Sequence, residues 1–154
     1  MTIKVAHIID SGGFYGAEVM LVNLCREQIN QGLSVEVISI GLPGEPAKEL
    51  ENKLKDHQIK VTAWRMKPLP DPREAIKIIR YCKSNNTDVI HSHGYKGNIL
   101  LGILPKSLRK IPIISTVHGY TQEKQFGKLF LYQAIDRACL RRLDAVVIGI
   151  ESMR

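Results

Sequence analysis

The sequence predicts a doubly wound α/β domain, a mostly parallel sheet with helices on both faces, and three observations carry that expectation. Apolar, β-rich runs alternate regularly with stretches whose apolar residues recur at helical spacing. Several of the runs are apolar along their length rather than alternating, as strands buried on both faces are. A glycine-rich turn joins the first run to the first helical stretch, and right-handed crossovers between successive strands then give a Rossmann-like fold. At 154 residues the chain fits one domain with a proper core.

Ile3 to Ile9 is the first strand, followed at once by Asp10-Ser11-Gly12-Gly13-Phe14-Tyr15-Gly16. Ala17, Met20, Leu21 and Leu24 then recur at i, i+3, i+4 and i+7, which marks a helix, and Gly32 closes it in the left-handed conformation. Val35 to Ile40 reads as the second strand. Pro46 suits the first turn of a second helix with Leu50 and Leu54 on its apolar face, and Ile59 to Ala63 is a short third strand. Lys67-Pro68-Leu69-Pro70 is a stiff loop. Asp71-Pro72-Arg73-Glu74 has the chemistry of a helix start, with Ala75, Ile78, Ile79 and Cys82 as the buried stripe that follows. Asp88 to His91 is the fourth strand, Asn98 to Leu104 a small apolar helix stopped by Pro105, and Ile111 to Val117 the fifth strand. A helix from about Lys124 to Arg141 and a sixth strand, Asp144 to Ile148, complete the order. The last residues, Gly149 to Arg154, stand where a further helix is expected to begin.

Composition narrows the setting. Hydrophobic residues make up 44% and charged residues 24% of the chain, which excludes a disordered polymer. Cys25, Cys82 and Cys139 are far apart and form no CxxC pair, so neither a zinc ribbon nor a disulfide framework is expected, and a reduced, cytoplasmic compartment follows. The start lacks an apolar signal-peptide core, and no run approaches the roughly 20 apolar residues of a membrane span. The net charge of +7 suits an anionic partner. No nucleic-acid motif accompanies it, and the basic clusters Lys106-Arg109-Lys110 and Arg137-Arg141-Arg142 read as solvated surface.

Ligands of such sheets gather beyond the carboxyl ends of the strands, which selects three segments: Asp10 to Gly16, His91 to Gly97, and His118 to Thr121. The glycines of the first allow a backbone to approach phosphate at a helix amino terminus, or they simply make a tight turn. Their spacing is GGxxG, not GxGxxG, and Ser39-Ile40-Gly41 offers no acid for a ribose, which disfavours a nicotinamide enzyme. No Walker Lys-Ser/Thr follows either. His91 and His93 alternate along one strand and so share a face. One His-x-His pair without a further ligand is a weak metal signal. His91 reads as a structural histidine, whereas His93, two residues farther out, points toward the cleft and can donate to a sugar hydroxyl or phosphate. His118, Gly119 and Tyr120 form a loop with a polar tip past the fifth strand. His7, mid-strand, and His57, at a helix end, read as structural or solvated.

Four segments in register resemble a known family. Gly12-Gly13 with Gly16-Ala17-Glu18, Asp88-Val89-Ile90-His91-Ser92-His93, Val117-His118-Gly119, and Asp144 to Ile148 followed by Glu151-Ser152 are similar to the amino-terminal domain of retaining glycosyltransferases of family 4, which have the GT-B fold. The common Gly-Gly-Ala-Glu loop is interrupted here by Phe14-Tyr15, which leaves open which glycine faces phosphate. The family's donor-binding domain, with its Glu-x7-Glu motif, is absent from these residues.

The resemblance implies a protein that transfers a sugar from a nucleotide-sugar donor to a glycan or lipid-linked acceptor, retaining configuration and without a bound metal or other cofactor. It places Gly12, Gly13 and Gly16 at the donor diphosphate, His93 as the catalytic residue near the transferred sugar, and His118, Gly119 and Tyr120 at the acceptor or sugar. Its carboxyl-terminal domain holds the nucleotide, so the present residues are expected to be inactive alone. A peripheral site at the inner membrane face is compatible with lipid-linked acceptors. A nucleotide-sugar epimerase of related fold, or an interaction domain without catalysis, are the competing readings.

Overall fold

A computed structural model describes residues 1–117 and 127–148. Its strands are β1 (Lys4–Ile9), β2 (Ser34–Gly41), β3 (Lys60–Arg65), β4 (Val89–His93), β5 (Ile113–Val117) and β6 (Ala145–Ile148). Its helices are α1 (Gly16–Asn30), α2 (Glu49–Asp56), α3 (Pro72–Ser84), α4 (Tyr95–Gly102), α5 (Lys106–Arg109) and α6 (Lys128–Leu140). The strands form one sheet in the order β3-β2-β1-β4-β5-β6, and every neighbouring pair is parallel. The chain moves outward one way from β1 and returns to add β4 on its other side. The carboxyl ends of β1 and β4 therefore flank the switch point where an open α/β sheet leaves a crevice.

Strand parity divides the core in two. Ala6, Ile8, Ile38, Ile40, Ile90 and Ile113 face α3 and α4, packing against Ala75, Ile78, Ile79, Cys82, Leu100 and Leu101. Ile9, Val35 and Val37 face α1 and α2, packing against Leu21, Val22, Cys25, Leu50 and Leu54. Each fully buried leucine or isoleucine in these layers contributes about 1.5–3 kcal/mol relative to exposure.

The local signals work as their chemistry requires. Asp71 Oδ1 accepts from the Arg73 amide at 2.8 Å, with Pro72 opening α3. Gly32 follows α1 at φ 87°, the left-handed conformation that ends it. Four expectations need correction. β4 runs on to His93 instead of ending at His91, because Ile9 and Thr116 on the neighbouring strands pair with His93. α2 begins at Glu49, three residues after Pro46, where Glu51 Oε2 accepts from the Lys48 amide at 3.2 Å. The short helix α5 follows Pro105, which sits at its N-cap. Arg109 is not solvated but 1% exposed, its Nη2 donating to the Arg142 carbonyl at 2.6 Å.

Candidate active site at the switch point

β1 delivers its last side chains into a loop that turns straight into α1. Glu18 Oε2 accepts from the Tyr15 amide at 3.0 Å and so closes the first turn of that helix. Gly16 is its first residue. The interruption by Phe14-Tyr15 has a visible consequence. The Tyr15 ring lies over Gly13, where a Cβ would stand 2.3 Å from Tyr15 Cε2. At Gly12 a Cβ would meet nothing within 4 Å, so this glycine leaves open space beside the loop. Ser11, Gly12 and Gly13 line a cavity of ≈ 200 Å³, bounded on its other side by Glu45 to Glu49.

The loop is fastened by charge. Lys48 Nζ donates to Asp10 Oδ1 at 3.0 Å, to the Ser11 carbonyl at 2.7 Å and to the Ile40 carbonyl at 2.6 Å. Those three acceptors use the full donor capacity of an ammonium group. Lys96, on the first turn of α4, reaches the other carboxylate oxygen, Asp10 Oδ2, at 2.6 Å. Asp10 thus holds two cations at the carboxyl edge of the sheet, next to the glycines. Beyond Lys96 a second cavity of ≈ 200 Å³ is lined by Pro68, Pro70, Tyr95, Ile99 and Tyr132, the two tyrosine rings 5.8 Å apart between centroids. Sequence reading missed Lys48, Asp10 and Lys96 as a group, since their partners lie 38 and 86 residues apart.

The histidines converge below the loop. His7 pairs in register with His91, and Ile9 with His93, so the three imidazoles share the face that α1 covers. His91 and His93 lie 4.2 Å apart between ring centroids, and His7 lies 5.1 and 5.2 Å from them. His7 Nδ1 and His93 Nε2 are 2.9 Å apart, His7 Nε2 is 2.8 Å from Gln28 Oε1, and His91 Nε2 is 2.7 Å from Thr116 Oγ1. His7 is the member that sequence reading left out, taking it as structural or solvated. Its ligand-type nitrogen lies within 4.8 Å of the other two, so the His-x-His pair is a cluster of three that could hold a metal ion.

Burial reverses the expected order within the pair. His93 is 3% exposed, whereas His91 is half-buried, because the strand continues to His93 and carries it under the loop. His93 does lie at the switch point, beside the end of β1. His118, Gly119 and Tyr120 lie outside the described residues, as do Glu151 and Ser152.

An all-parallel sheet in this strand order, with helices on both faces, is a Rossmann-like domain, here of the kind that forms half of GT-B glycosyltransferases. The pattern of Glycosyltransferase Family 4 matches residues 14–154, and the chain belongs to that family. It is 28% identical over 135 residues to the 2-deoxystreptamine N-acetyl-D-glucosaminyltransferase of Niallia circulans, a match covering 79% of this chain and 33% of the relative. Among solved structures it resembles Anabaena Alr3699/HepE in complex with UDP, at TM-score 0.71 and 15% identity, over 94% of this chain and 37% of that one. Acinetobacter baumannii MurG superposes at TM-score 0.61 and 18% identity, over 96% of this chain and 41% of the other. At such identities the two structures bear on the fold alone. No helix among the described residues is long and apolar enough to cross a membrane.

Proposed function

We propose that these residues form the acceptor-side half of a retaining glycosyltransferase, which moves a sugar from a nucleoside diphosphate donor to a glycan or lipid-linked acceptor. The observation that carries this reading is the meeting of glycine loop, Asp10-Lys96 pair and His93 at one switch point. Membership of the family supports the reaction class, and the UDP in the Anabaena relative supports the donor class. Departure of a nucleoside diphosphate builds negative charge, and backbone N–H groups and cations fixed beforehand stabilise it without further reorganisation. The amides of Gly12 and Gly13, the amino end of α1 at Gly16 and the Lys96 ammonium are the groups suited to that work. His93 serves the transferred sugar, and His118, Gly119 and Tyr120 the acceptor or sugar side. The reaction needs no bound metal and requires a second domain for the nucleotide.

Gly12 offers the cleanest test, because a side chain there meets no neighbour. In the enzyme with both domains, Gly12→Val is expected to keep its melting temperature while the KM for the nucleotide sugar rises or turnover falls by about tenfold or more. Unchanged kinetics on a sugar nucleotide that the parent enzyme turns over would remove the loop from the site. At Gly13 the same change would first displace the Tyr15 ring, so its outcome would mix two effects.

A further inference from the structure

The hydrogen bonds below the glycine loop form a chain with one direction. Gln28, on α1, presents its carbonyl oxygen Oε1 to His7 Nε2 at 2.8 Å. An amide oxygen only accepts, so His7 Nε2 carries a proton. His7 is fully buried between Gln28 and His93, and burial disfavours the charged ring. The ring is therefore neutral and holds one proton only, which leaves Nδ1 with the lone pair. That nitrogen lies 2.9 Å from His93 Nε2, so His93 is the donor of this bond.

We propose that Gln28 and His7 are positioning residues for His93, holding its imidazole in the tautomer with the proton on Nε2 and the lone pair on Nδ1. The inference rests on the reading of His93 as the histidine that serves the sugar. His93 donates to His7, His7 donates to Gln28, and β1, β4 and α1 each supply one member. The arrangement fixes both the ring plane and the basic nitrogen of a residue at the switch point. It has the logic by which a hydrogen bond to one imidazole nitrogen decides what the other can do. Gln28, half-buried on the sheet-facing side of α1 one turn past the buried Cys25, is the end of the chain.

Metal binding by the same nitrogens and this relay exclude one another. A tetrahedral zinc with ligands at about 2.0–2.1 Å separates them by about 3.3 Å and needs every lone pair free. Here His7 Nδ1 and His93 Nε2 stand at 2.9 Å, with one proton between them.

Long-range ¹H–¹⁵N spectra of the ¹⁵N-histidine-labelled protein at pH 7 test the proposal directly. His93 is expected to show a protonated Nε2 and a lone-pair Nδ1, with His7 neutral and protonated on Nε2. Gln28→Leu removes the terminal acceptor and is expected to shift His93 toward the other tautomer. Gln28→Glu keeps an oxygen at that place and is expected to restore the first pattern. In the two-domain enzyme, Gln28→Leu is expected to lower kcat about tenfold with the donor KM unchanged, and Gln28→Glu to recover most of it. A proton on His93 Nδ1 in the parent protein, or an unmoved tautomer in Gln28→Leu, overturns the proposal. So does stoichiometric Zn²⁺ binding at pH 7 that removes the Nε2 proton signal of His93. The spectra need no turnover, so a protein that transfers no sugar but shows the expected tautomers would contradict the functional reading and leave the relay standing.

Discussion

His7 has no exposed surface, and burial lowers its pKa from the ordinary 6.5 to about 4, while the bond to Gln28 pulls the other way. The unfolded chain therefore binds a proton at this position between about pH 6.5 and pH 4, where the folded chain does not. Stability is complete above the upper value, falls as the pH drops through the window, and levels off below about 4. The displacement amounts to about 3 kcal/mol over the whole window, and to about 2 kcal/mol at pH 5. Urea unfolding at pH 7 and pH 5 is expected to show that loss in the parent protein and a correspondingly smaller one in His7→Gln. An equal loss in both would place the acid sensitivity elsewhere. Burial acts on the thiols in the opposite sense: Cys25 and Cys82 are pushed up to about 12, which makes them packing groups and not nucleophiles. The sequence showed the histidines of β4 as a pair because alternation is a local pattern. His7 became their partner only through the register of β1 on β4, which no local pattern encodes.

Among the elements, α4 is held most tightly against its neighbours. Gly97 lies so close to the sheet that a Cβ would stand 2.5 Å from Ser92 Oγ, and Gly102 so close to α6 that a Cβ would stand 2.6 Å from Cys139 Cβ. Between them Asn98 donates to Asp136 Oδ1 at 2.9 Å and accepts from Ser115 Oγ at 2.7 Å, tying α4 to α6 and β5. Because that Cβ would also stand 3.1 Å from the Cys139 Cα, backbone as well as side chain would have to move to admit a substituent. Gly102→Val is expected to cost about 1–3 kcal/mol of stability, or more, read as a lower urea midpoint at unchanged m-value. A midpoint within error of the parent would show that α6 is not seated on α4 in this way. On the opposite face α2 is clamped to β3, where Arg65 Nη1 and Nη2 reach Glu51 Oε1 and Oε2 at 2.9 and 3.1 Å. Burial alone would raise the Glu51 pKa, and the bonds from Arg65 and Ser39 bring it below the usual carboxylate value. α1, α2 and α3 were legible as elements because each carries its own periodic stripe and end signal, whereas the four-residue α5 carries neither. The contacts of the helices were not legible, since a glycine inside an apolar run looks the same whether it faces a helix, a sheet or solvent.

At the scale of the molecule, alternation of strands and helices sufficed to give the doubly wound class, and the sheet has that form with all six strands parallel. The strand order was not read from the sequence, and it is the observed order that places the switch point between β1 and β4. What escaped sequence reading is the assembly at that point. Asp10 sits in the recognised glycine segment and Lys96 in the recognised histidine segment, yet their ion pair exists only because β1 and β4 are neighbours. Lys48 comes from the α2 N-cap, a place with no sign of function in the sequence. The chain spans 33% of its curated relative and 37% of the Anabaena structure, so the proposed reaction draws on residues beyond those described.

His93 concentrates the central claim, that the switch point is where sugar transfer is carried out. His93→Ala would strip His7 Nδ1 of its buried donor at a cost of about 1–3 kcal/mol, so its turnover and stability would fall together. His93→Gln is the sharper variant, since its amide nitrogen can take the place of Nε2–H toward His7 while the basic Nδ1 is lost. The deciding measurement is nucleotide release from the donor sugar nucleotide by the two-domain enzyme, parent against His93→Gln, with melting temperatures recorded on the same samples. The expected result is a fall in turnover of about 10²-fold or more at a nearly unchanged melting temperature. Turnover within a few-fold of the parent, from a variant that melts where the parent does, would contradict it.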